Sequence, residues 1–211
     1  MALDQIVFPN HAFKAYKYAR RHIRNGDVLL CSGSGIFSTM IQEATGSIWS
    51  HVGFLLRLDE IDRIMVLESV EPIGVRTVPL SKYLKDYDSK GHPYPGGIAI
   101  IRHREFDSKV DREGLKKLTQ FAVDLFGYPY DKDDIAKIAA RIMASKIPFS
   151  KESYQRIKED REFICSEYVD RCYKEIGVEI EWDKKGFIAP SNFARDTNFE
   201  LLFTIKRKPS K

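Results

Sequence analysis

Residues 50–70 read SHVGFLLRLDEIDRIMVLESV, in which two apolar runs flank a polar loop. The runs 50–56 and 64–70 are rich in valine, leucine and isoleucine, as is typical of strands. The loop 59–63 is short and carries charged residues. This pattern predicts two strands joined as a β-hairpin.

The pairing register of this hairpin decides which side chains meet. If paired residue numbers sum to 119 or 121, Glu68 lies opposite His51 or one diagonal away, on the same face of the sheet. An even sum would turn Glu68 to the other face and leave Glu71 or Ser69 as the nearer polar partner. The sequence leaves both alternatives open.

The rest of the chain alternates predicted strands with predicted helices. An N-terminal basic helix is predicted at about residues 10–24 from apolar residues at helical spacing. Further strands are predicted at 28–31, 75–78, 97–102 and 201–205, and further helical segments at 36–44, 81–87, 110–126, 135–144 and from about Cys165 onward. Because no linker or repeat interrupts this order, we expect one α+β domain over residues 1–211, with an antiparallel sheet packed against helices.

Basic residues cluster at the two ends of the chain. Lys plus Arg outnumber Asp plus Glu by 34 to 30, and the excess lies in residues 1–25 and 204–211. No aromatic-interleaved basic stripe accompanies them, so a solvated basic face is expected and no nucleic-acid partner is predicted. Peripheral contact of the basic ends with an anionic membrane is the alternative.

The sequence contains no recognisable leader or membrane-spanning segment. Its start lacks a charged head followed by a long apolar run, and the apolar stretch 135–144 is much shorter than the ~20 residues that a bilayer requires. The three cysteines form no disulfide framework, which is typical of a reducing compartment. We therefore expect a cytoplasmic protein.

Cys165 is the cysteine best suited to act as a nucleophile. A thiol in the first turn of a helix lies near aligned N–H groups, which stabilise a thiolate. Ser166 and Glu167 follow it, as is typical of a helix start. Cys172 lies two turns further along the same predicted helix and Cys31 ends an apolar strand, so both are expected in the core.

His51 is the candidate base. Of the five histidines it alone sits within a predicted strand, and Gly53 on the same face leaves room beside the ring. A thiol at a helix start, an imidazole on a strand and a carboxylate on the next strand form the nucleophile, base and orienter of thiol hydrolases. Cys165, His51 and Glu68 are therefore the predicted catalytic residues.

No cofactor or metal ion is predicted. The Gly-Ser loop at 32–35 is not followed by Gly-Lys-Ser/Thr, so it does not match a phosphate-binding loop. Neither a His-Glu-x-x-His nor a Cys-x-x-Cys motif is present, and a metal site would need scattered ligands without local spacing.

Four short segments form a recognisable series. They are Gly26-Asp27-Val28-Leu29-Leu30, Ser50-His51-Val52-Gly53-Phe54, Gly127-Tyr128-Pro129-Tyr130-Asp131 and Ile164-Cys165-Ser166-Glu167-Tyr168-Val169. In this order they resemble the circularly permuted NlpC-type papain-like hydrolases of bacteria, in which the histidine strand precedes the cysteine helix. The resemblance implies a permuted papain-like fold, with Cys165 as nucleophile, His51 as base and Glu68 as the residue that holds the imidazole tautomer.

The same resemblance extends to Tyr130. Its position in the Gly-x-Pro-Tyr motif implies a hydroxyl near the oxyanion or the substrate, whereas packing on the core is the alternative. The Cys165 backbone N–H is a natural oxyanion donor at a helix start. The segment 131–162 is longer than a simple connection, so we expect it to cap the cleft.

Lecithin:retinol acyltransferase-like enzymes share the permuted order but differ at the key positions. In that branch the cysteine follows asparagine and precedes Glu-His, and the third catalytic member is histidine. Ile164, Ser166 and Glu68 depart from this pattern. The sequence therefore favours the bacterial amidase-like branch.

Three functional hypotheses follow from these residues. The first is an amidase or peptidase that cleaves a small peptide-like or N-acyl substrate through an acyl-enzyme. The second keeps the same residues but acts on a lipid ester, with the basic ends near a membrane. The third is a non-catalytic binding module on the same fold.

Overall fold

The computed structural model describes residues 13–14, 16–130, 164–181 and 188–205. Its strands are β1 Phe13–Lys14, β2 Val28–Ser32, β3 His51–Leu58, β4 Arg63–Val70, β5 Gly74–Pro79, β6 Gly97–His103 and β7 Phe199–Ile205. Its α-helices are α1 Tyr16–Ala19, α2 Ile36–Thr45, α3 Leu80–Lys85, α4 Phe106–Lys109, α5 Arg112–Asp124, α6 Cys165–Lys174 and α7 Pro190–Arg195. The strands form one seven-stranded sheet in the order β1-β7-β6-β2-β3-β4-β5.

The sheet is antiparallel except at one edge, where β1 runs parallel to β7. The predicted hairpin is formed by β3 and β4, and the other predicted strands correspond to β2, β5, β6 and β7. The α+β class with a sheet packed against helices is confirmed.

Helices cover both faces of the sheet, and the central strands reflect this. Along β2, Val28 and Leu30 belong to a buried cluster with residues of α5, α6 and α7. Leu29 and Cys31 belong to a second cluster on the opposite face, with residues of α1 and α3. A strand buried on both faces needs apolar side chains at every position, which explains its continuous apolar run.

The prediction of a helix over about residues 10–24 is wrong in the length of the helix. Within the described part of this segment only Tyr16–Ala19 is α-helical, and Phe13–Lys14 is a strand that pairs with β7. Ile23, one of the apolar residues at helical spacing, is nonetheless buried. Backbone pairing at the edge of the sheet overrides the helical preference of these residues, as tertiary contacts commonly do.

Several predictions concern residues outside the described ranges. They are the helix at 135–144, the cap segment at 131–162 and the basic residues from 206 onward. Among the helices that the structure describes, none has the length and apolar character needed to cross a bilayer.

The loop after α5 is held against β5. Val75 donates its N–H to the Tyr128 carbonyl oxygen at 2.8 Å, and Gly127 donates to the Val75 carbonyl oxygen at 2.9 Å. Gly74 adopts φ +90°, and a Cβ at this position would overlap the Tyr128 carbonyl oxygen. Glycine is therefore required for the loop to approach the strand so closely.

Replacing Gly74 with alanine should destabilise the fold more than replacing Gly127. Both residues have positive φ, +90° and +86°, so either alanine introduces backbone strain of about 1–3 kcal/mol. At Gly127, however, an added Cβ meets nothing within 4 Å, whereas at Gly74 it displaces Tyr128. Urea unfolding measures the difference, and equal losses in the two variants would contradict this account.

Candidate active site

The β3–β4 hairpin has one of the two predicted odd registers. Phe54 lies opposite Leu67, so paired residue numbers sum to 121. Glu68 is then one diagonal from His51 on the same face of the sheet. The prediction that an odd register brings the two side chains together is confirmed, since His51 Nε2 lies 2.7 Å from Glu68 Oε2.

Gly53 lies on the same face as this pair. A Cβ added to Gly53 would lie 2.8 Å from Val66 Cγ1 and 3.6 Å from the Cβ of Glu68. The first distance is shorter than atoms in a protein core tolerate. A side chain at Gly53 would therefore displace the Val66 side chain on the strand that carries Glu68.

The helix α6 begins at Cys165, as predicted. Ile164 is its N-cap residue and donates its backbone N–H to Glu167 Oε2 at 3.4 Å. Ser166 Oγ donates to the Ile188 carbonyl oxygen at 2.8 Å, which ties the first turn of α6 to the segment before α7. The helix packs across β3 and β4, and it places the Cys165 thiol beside the His51 ring, close enough to raise the pKa of the imidazole.

The His51 ring lies between a thiol and a carboxylate, and its side chain is 12% exposed. Burial disfavours charge on the ring, but Cys165 and Glu68 outweigh burial and raise the pKa of His51 to about 10. Burial also opposes charge on Glu68, yet its contacts with His51 and Arg76 lower the pKa of this carboxyl.

The charge of Glu68 fixes the role of His51 Nε2. An ionised carboxylate has no proton to donate, so Glu68 accepts and His51 Nε2 donates. Nδ1 is then the ring nitrogen that remains for the Cys165 thiol. This order of thiol, imidazole and carboxylate is the one that the sequence predicts for a thiol hydrolase.

Two further neighbours of Glu68 are not anticipated from the sequence. Arg76 brings Nε and Nη2 to 3.0 and 2.9 Å from Glu68 Oε1, and the Tyr83 hydroxyl donates to Glu68 Oε2. Arg76 lies directly opposite Glu68 in the β4–β5 pairing, so a prediction of that register would have found it. Tyr83 comes from the short helix α3, and the sequence contains no pattern that points from it to Glu68.

Tyr130 lies beside the start of α6. It is 9% exposed and packs with Ile164 and with the partly buried Ile41. Because Ile164 immediately precedes Cys165, the tyrosine adjoins the candidate nucleophile segment. This packing agrees with the core-tyrosine alternative, and a contact of its hydroxyl with the oxyanion or the substrate stays a prediction.

Cys31 and Cys172 are fully buried, as predicted. Burial raises the pKa of the Cys172 thiol well above its usual range, which disfavours the reactive thiolate. Cys31 lies opposite His51 in the β2–β3 pairing and contributes to the core cluster on the α3 face.

Comparison with known proteins identifies a family for this arrangement. Residues 22–196 match the model of the permuted papain-like amidase enzymes of the YaeF/YiiX type, the C92 family. The chain belongs to this family. It is therefore a permuted papain-like amidase, an enzyme of the cysteine hydrolase class. The strand that carries His51 precedes the helix that begins at Cys165, in agreement with the permuted order.

The fold of this amidase is similar to a solved structure, the crystal structure of metalloprotein yiiX from Escherichia coli O157:H7. The TM-score is 0.58 and the sequence identity 19%, over 88% of this chain and 97% of that chain. At this identity the likeness demonstrates a shared fold. No relative among curated proteins matches the sequence.

Iodoacetamide at neutral pH should label Cys165 in preference to Cys31 and Cys172. The three residues are 3%, 0% and 0% exposed, so a large preference would arise mainly from the imidazole beside Cys165. His51→Ala should slow the labelling of Cys165 by about 10-fold. Peptide mass mapping measures each rate, and faster labelling of either core cysteine would refute this assignment.

Glu68→Gln should lower the pKa of His51, because an uncharged amide no longer stabilises the imidazolium. The pKa of His51 is raised from 6.5 to about 10, so the ring keeps its proton through neutral pH and loses it only as the pH rises through the higher value. NMR titration of the ring measures the change. Glu200→Gln, which removes a surface carboxylate paired with Arg104, serves as the control, and an unaltered His51 titration in Glu68→Gln would contradict the expectation.

Proposed function

We propose that Cys165, His51 and Glu68 act as the nucleophile, the general base and the orienting carboxylate of a thiol amidase. The observation that carries the proposal is the position of the His51 ring, which bonds Glu68 at 2.7 Å through Nε2 and lies beside the Cys165 thiol, which raises the pKa of the ring. Membership of the amidase family supports hydrolysis by a cysteine enzyme. The proposed substrate is an amide bond in a small peptide-like or N-acyl compound.

The proposed reaction passes through a thioester. The Cys165 thiol passes its proton to His51 to form a thiolate–imidazolium pair, and the sulfur then attacks the carbonyl carbon, which gives a tetrahedral oxyanion. When this intermediate collapses, the C–N bond breaks and His51 returns the proton to the leaving amine. Water then adds to the thioester as His51 takes its proton, and collapse releases a carboxylic acid and restores the thiolate–imidazolium pair of Cys165 and His51.

The start of α6 supports the oxyanion step. The first N–H groups of a helix have no acceptor within the helix and carry the positive end of its dipole. The backbone N–H of Cys165 can therefore donate to the oxyanion. Tyr130, which packs against Ile164, is the proposed second polar group near the substrate.

A metal site does not fit the described residues. The structurally similar yiiX of Escherichia coli O157:H7 is called a metalloprotein. Within residues 16–130, 164–181 and 188–205 of the present chain, no group of three or more His, Cys, Asp or Glu side chains is arranged to hold a metal ion.

Two of the basic residues near the N-terminus have acidic partners, which weakens the case for a membrane-bound lipid substrate. Arg20 lies 2.7 Å from the carboxylate of Asp62, and Arg24 lies 2.6 Å from that of Asp107. Acidic partners reduce the attraction of these arginines to an anionic surface.

Cys165→Ala and His51→Ala should each reduce turnover by about 10⁴-fold or more, because a thiol and its base act as one unit. Cys172→Ala should retain activity, since this thiol packs in the core. Turnover is measured on a panel of N-acyl amino acid p-nitroanilides, with p-nitrophenyl esters as the ester arm. Intact-mass analysis of acid-quenched reactions should detect the acyl group on Cys165.

Wild-type turnover by Cys165→Ala on any substrate of the panel would refute the assignment of the nucleophile. Turnover of lipid-like esters without turnover of any amide would favour the ester alternative on the same residues.

A further inference from the structure

The carboxylate of Glu68 has a complete set of hydrogen-bonding partners. The residue is 0% exposed. Oε1 accepts from Arg76 Nε at 3.0 Å and lies 2.9 Å from Arg76 Nη2, and Oε2 accepts from His51 Nε2 at 2.7 Å and from the Tyr83 hydroxyl. A carboxyl buried without such partners would take up a proton rather than remain charged.

Arg76 supplies a positive charge from the neighbouring strand. It lies directly opposite Glu68 in the β4–β5 pairing, and its side chain is 23% exposed. Both Arg76 nitrogens, Nε and Nη2, contact Glu68 Oε1, so Oε2 remains available to His51. A guanidinium holds a carboxylate in a fixed orientation because its donors lie in one rigid plane.

Tyr83 fixes the other side of the carboxylate. Its ring is fully buried and lies 4.9 Å from the ring of Tyr87 and 5.4 Å from that of Tyr94, measured between centroids. Burial, and then the charge of Glu68, raise the pKa of Tyr83 well above its usual value. The hydroxyl therefore keeps its proton and acts as a donor to Oε2.

We propose that Arg76 and Tyr83 are positioning residues that hold Glu68 in its charged form and in the orientation that receives His51 Nε2. The proposal rests on the proposed catalytic role of Glu68. Both residues act through Glu68, and neither is assigned a contact with the reacting atoms. The titratable groups that act on Glu68 are His51 from β3, Arg76 from β5, Tyr83 from α3, and Tyr87 and Tyr94 from the segment between α3 and β6.

Because Glu68 is charged, the proposal predicts the direction in which each substitution should shift the pKa of Glu68. The pKa of Glu68 is lowered from 4.5, because His51 first, and then Arg76 and Tyr83, oppose the effect of burial. The charged form is therefore lost only as the pH falls through this lowered value. Removing either partner raises the pKa of Glu68, so protonation begins at a higher pH.

The direct test is a titration of the Glu68 carboxyl carbon by NMR in protein labelled with ¹³C-glutamate. The resonance is assigned by its absence in Glu68→Gln. Arg76→Gln and Tyr83→Phe should each move its midpoint to higher pH, and Arg76→Lys should recover part of the shift because it keeps the charge. Arg76→Lys and Tyr83→Phe also preserve side-chain size, so the test remains if Arg76→Gln does not fold.

Matched controls come from similar residues elsewhere in the fold. Arg104→Gln removes an arginine that lies 3.2 Å from the carboxylate of Glu200. Tyr173→Phe removes a buried hydroxyl that donates to the Gly26 carbonyl oxygen. Neither substitution should move the Glu68 titration.

Hydrolysis of p-nitrophenyl acetate provides the second readout. Arg76→Gln and Tyr83→Phe should each lower kcat by about 10-fold. This loss is smaller than the full contribution of a positioned general base, because His51 itself remains. The KM should change by less than about twofold, since this small probe occupies the carbonyl site. The acid limb of the kcat profile should move to higher pH, and Arg76→Lys should recover part of both effects.

Unchanged Glu68 titrations in Arg76→Gln and Tyr83→Phe would overturn the proposal, as would shifted titrations with an unchanged kcat and acid limb. The titration requires no turnover, so it separates the two proposals. If Glu68 shifts as expected while Cys165→Ala remains active, the assigned nucleophile is wrong although Arg76 and Tyr83 hold the carboxylate.

Discussion

The hydrogen bond between His51 and Glu68 depends on strand register, and most features of the site depend on that bond. A slip of one residue between β3 and β4 would turn Glu68 to the opposite face of the sheet. Gly53 leaves space for the Val66 side chain on this face, since a Cβ there would lie 2.8 Å from Val66 Cγ1. The bond then determines which nitrogen of the imidazole faces Cys165.

The carboxylate in this bond is buried, which places a second condition on the fold. Burial of an isolated charge is unfavourable, and a carboxyl group usually responds by taking up a proton. Glu68 avoids this because β5 brings Arg76 opposite to it and α3 adds the Tyr83 hydroxyl. The sheet and α3 therefore contribute to the electrostatics of the site as well as to its shape.

Much of the site could be predicted from the sequence because its parts have strong local patterns. The two apolar runs around residues 59–63 predict the hairpin, and the start of α6 at Cys165 agrees with the helical spacing of the residues after it. The odd register, however, was one of two open alternatives. Only the packed hairpin decides between them.

The parts that could not be predicted depend on contacts between distant segments. Arg76 reaches Glu68 through a strand pairing whose register the sequence does not reveal, and Tyr83 comes from a helix of six residues. The helix expected at about 10–24 failed for the same reason, because Phe13–Lys14 pairs with β7 instead. The helix α7, which begins at Pro190, is also short, and a proline at the first helical position is its main local signal.

The short strand β1 has a consequence for the behaviour of the protein in solution. An unpaired strand edge presents a row of N–H and C=O groups to which another chain can add. Phe13 and Lys14 occupy the end of β7 at Thr204 and Ile205, so the chain blocks part of this edge with its own N-terminal residues. Trimming those residues for crystallisation would uncover backbone groups that favour association between copies, although every residue of the proposed catalytic set would remain.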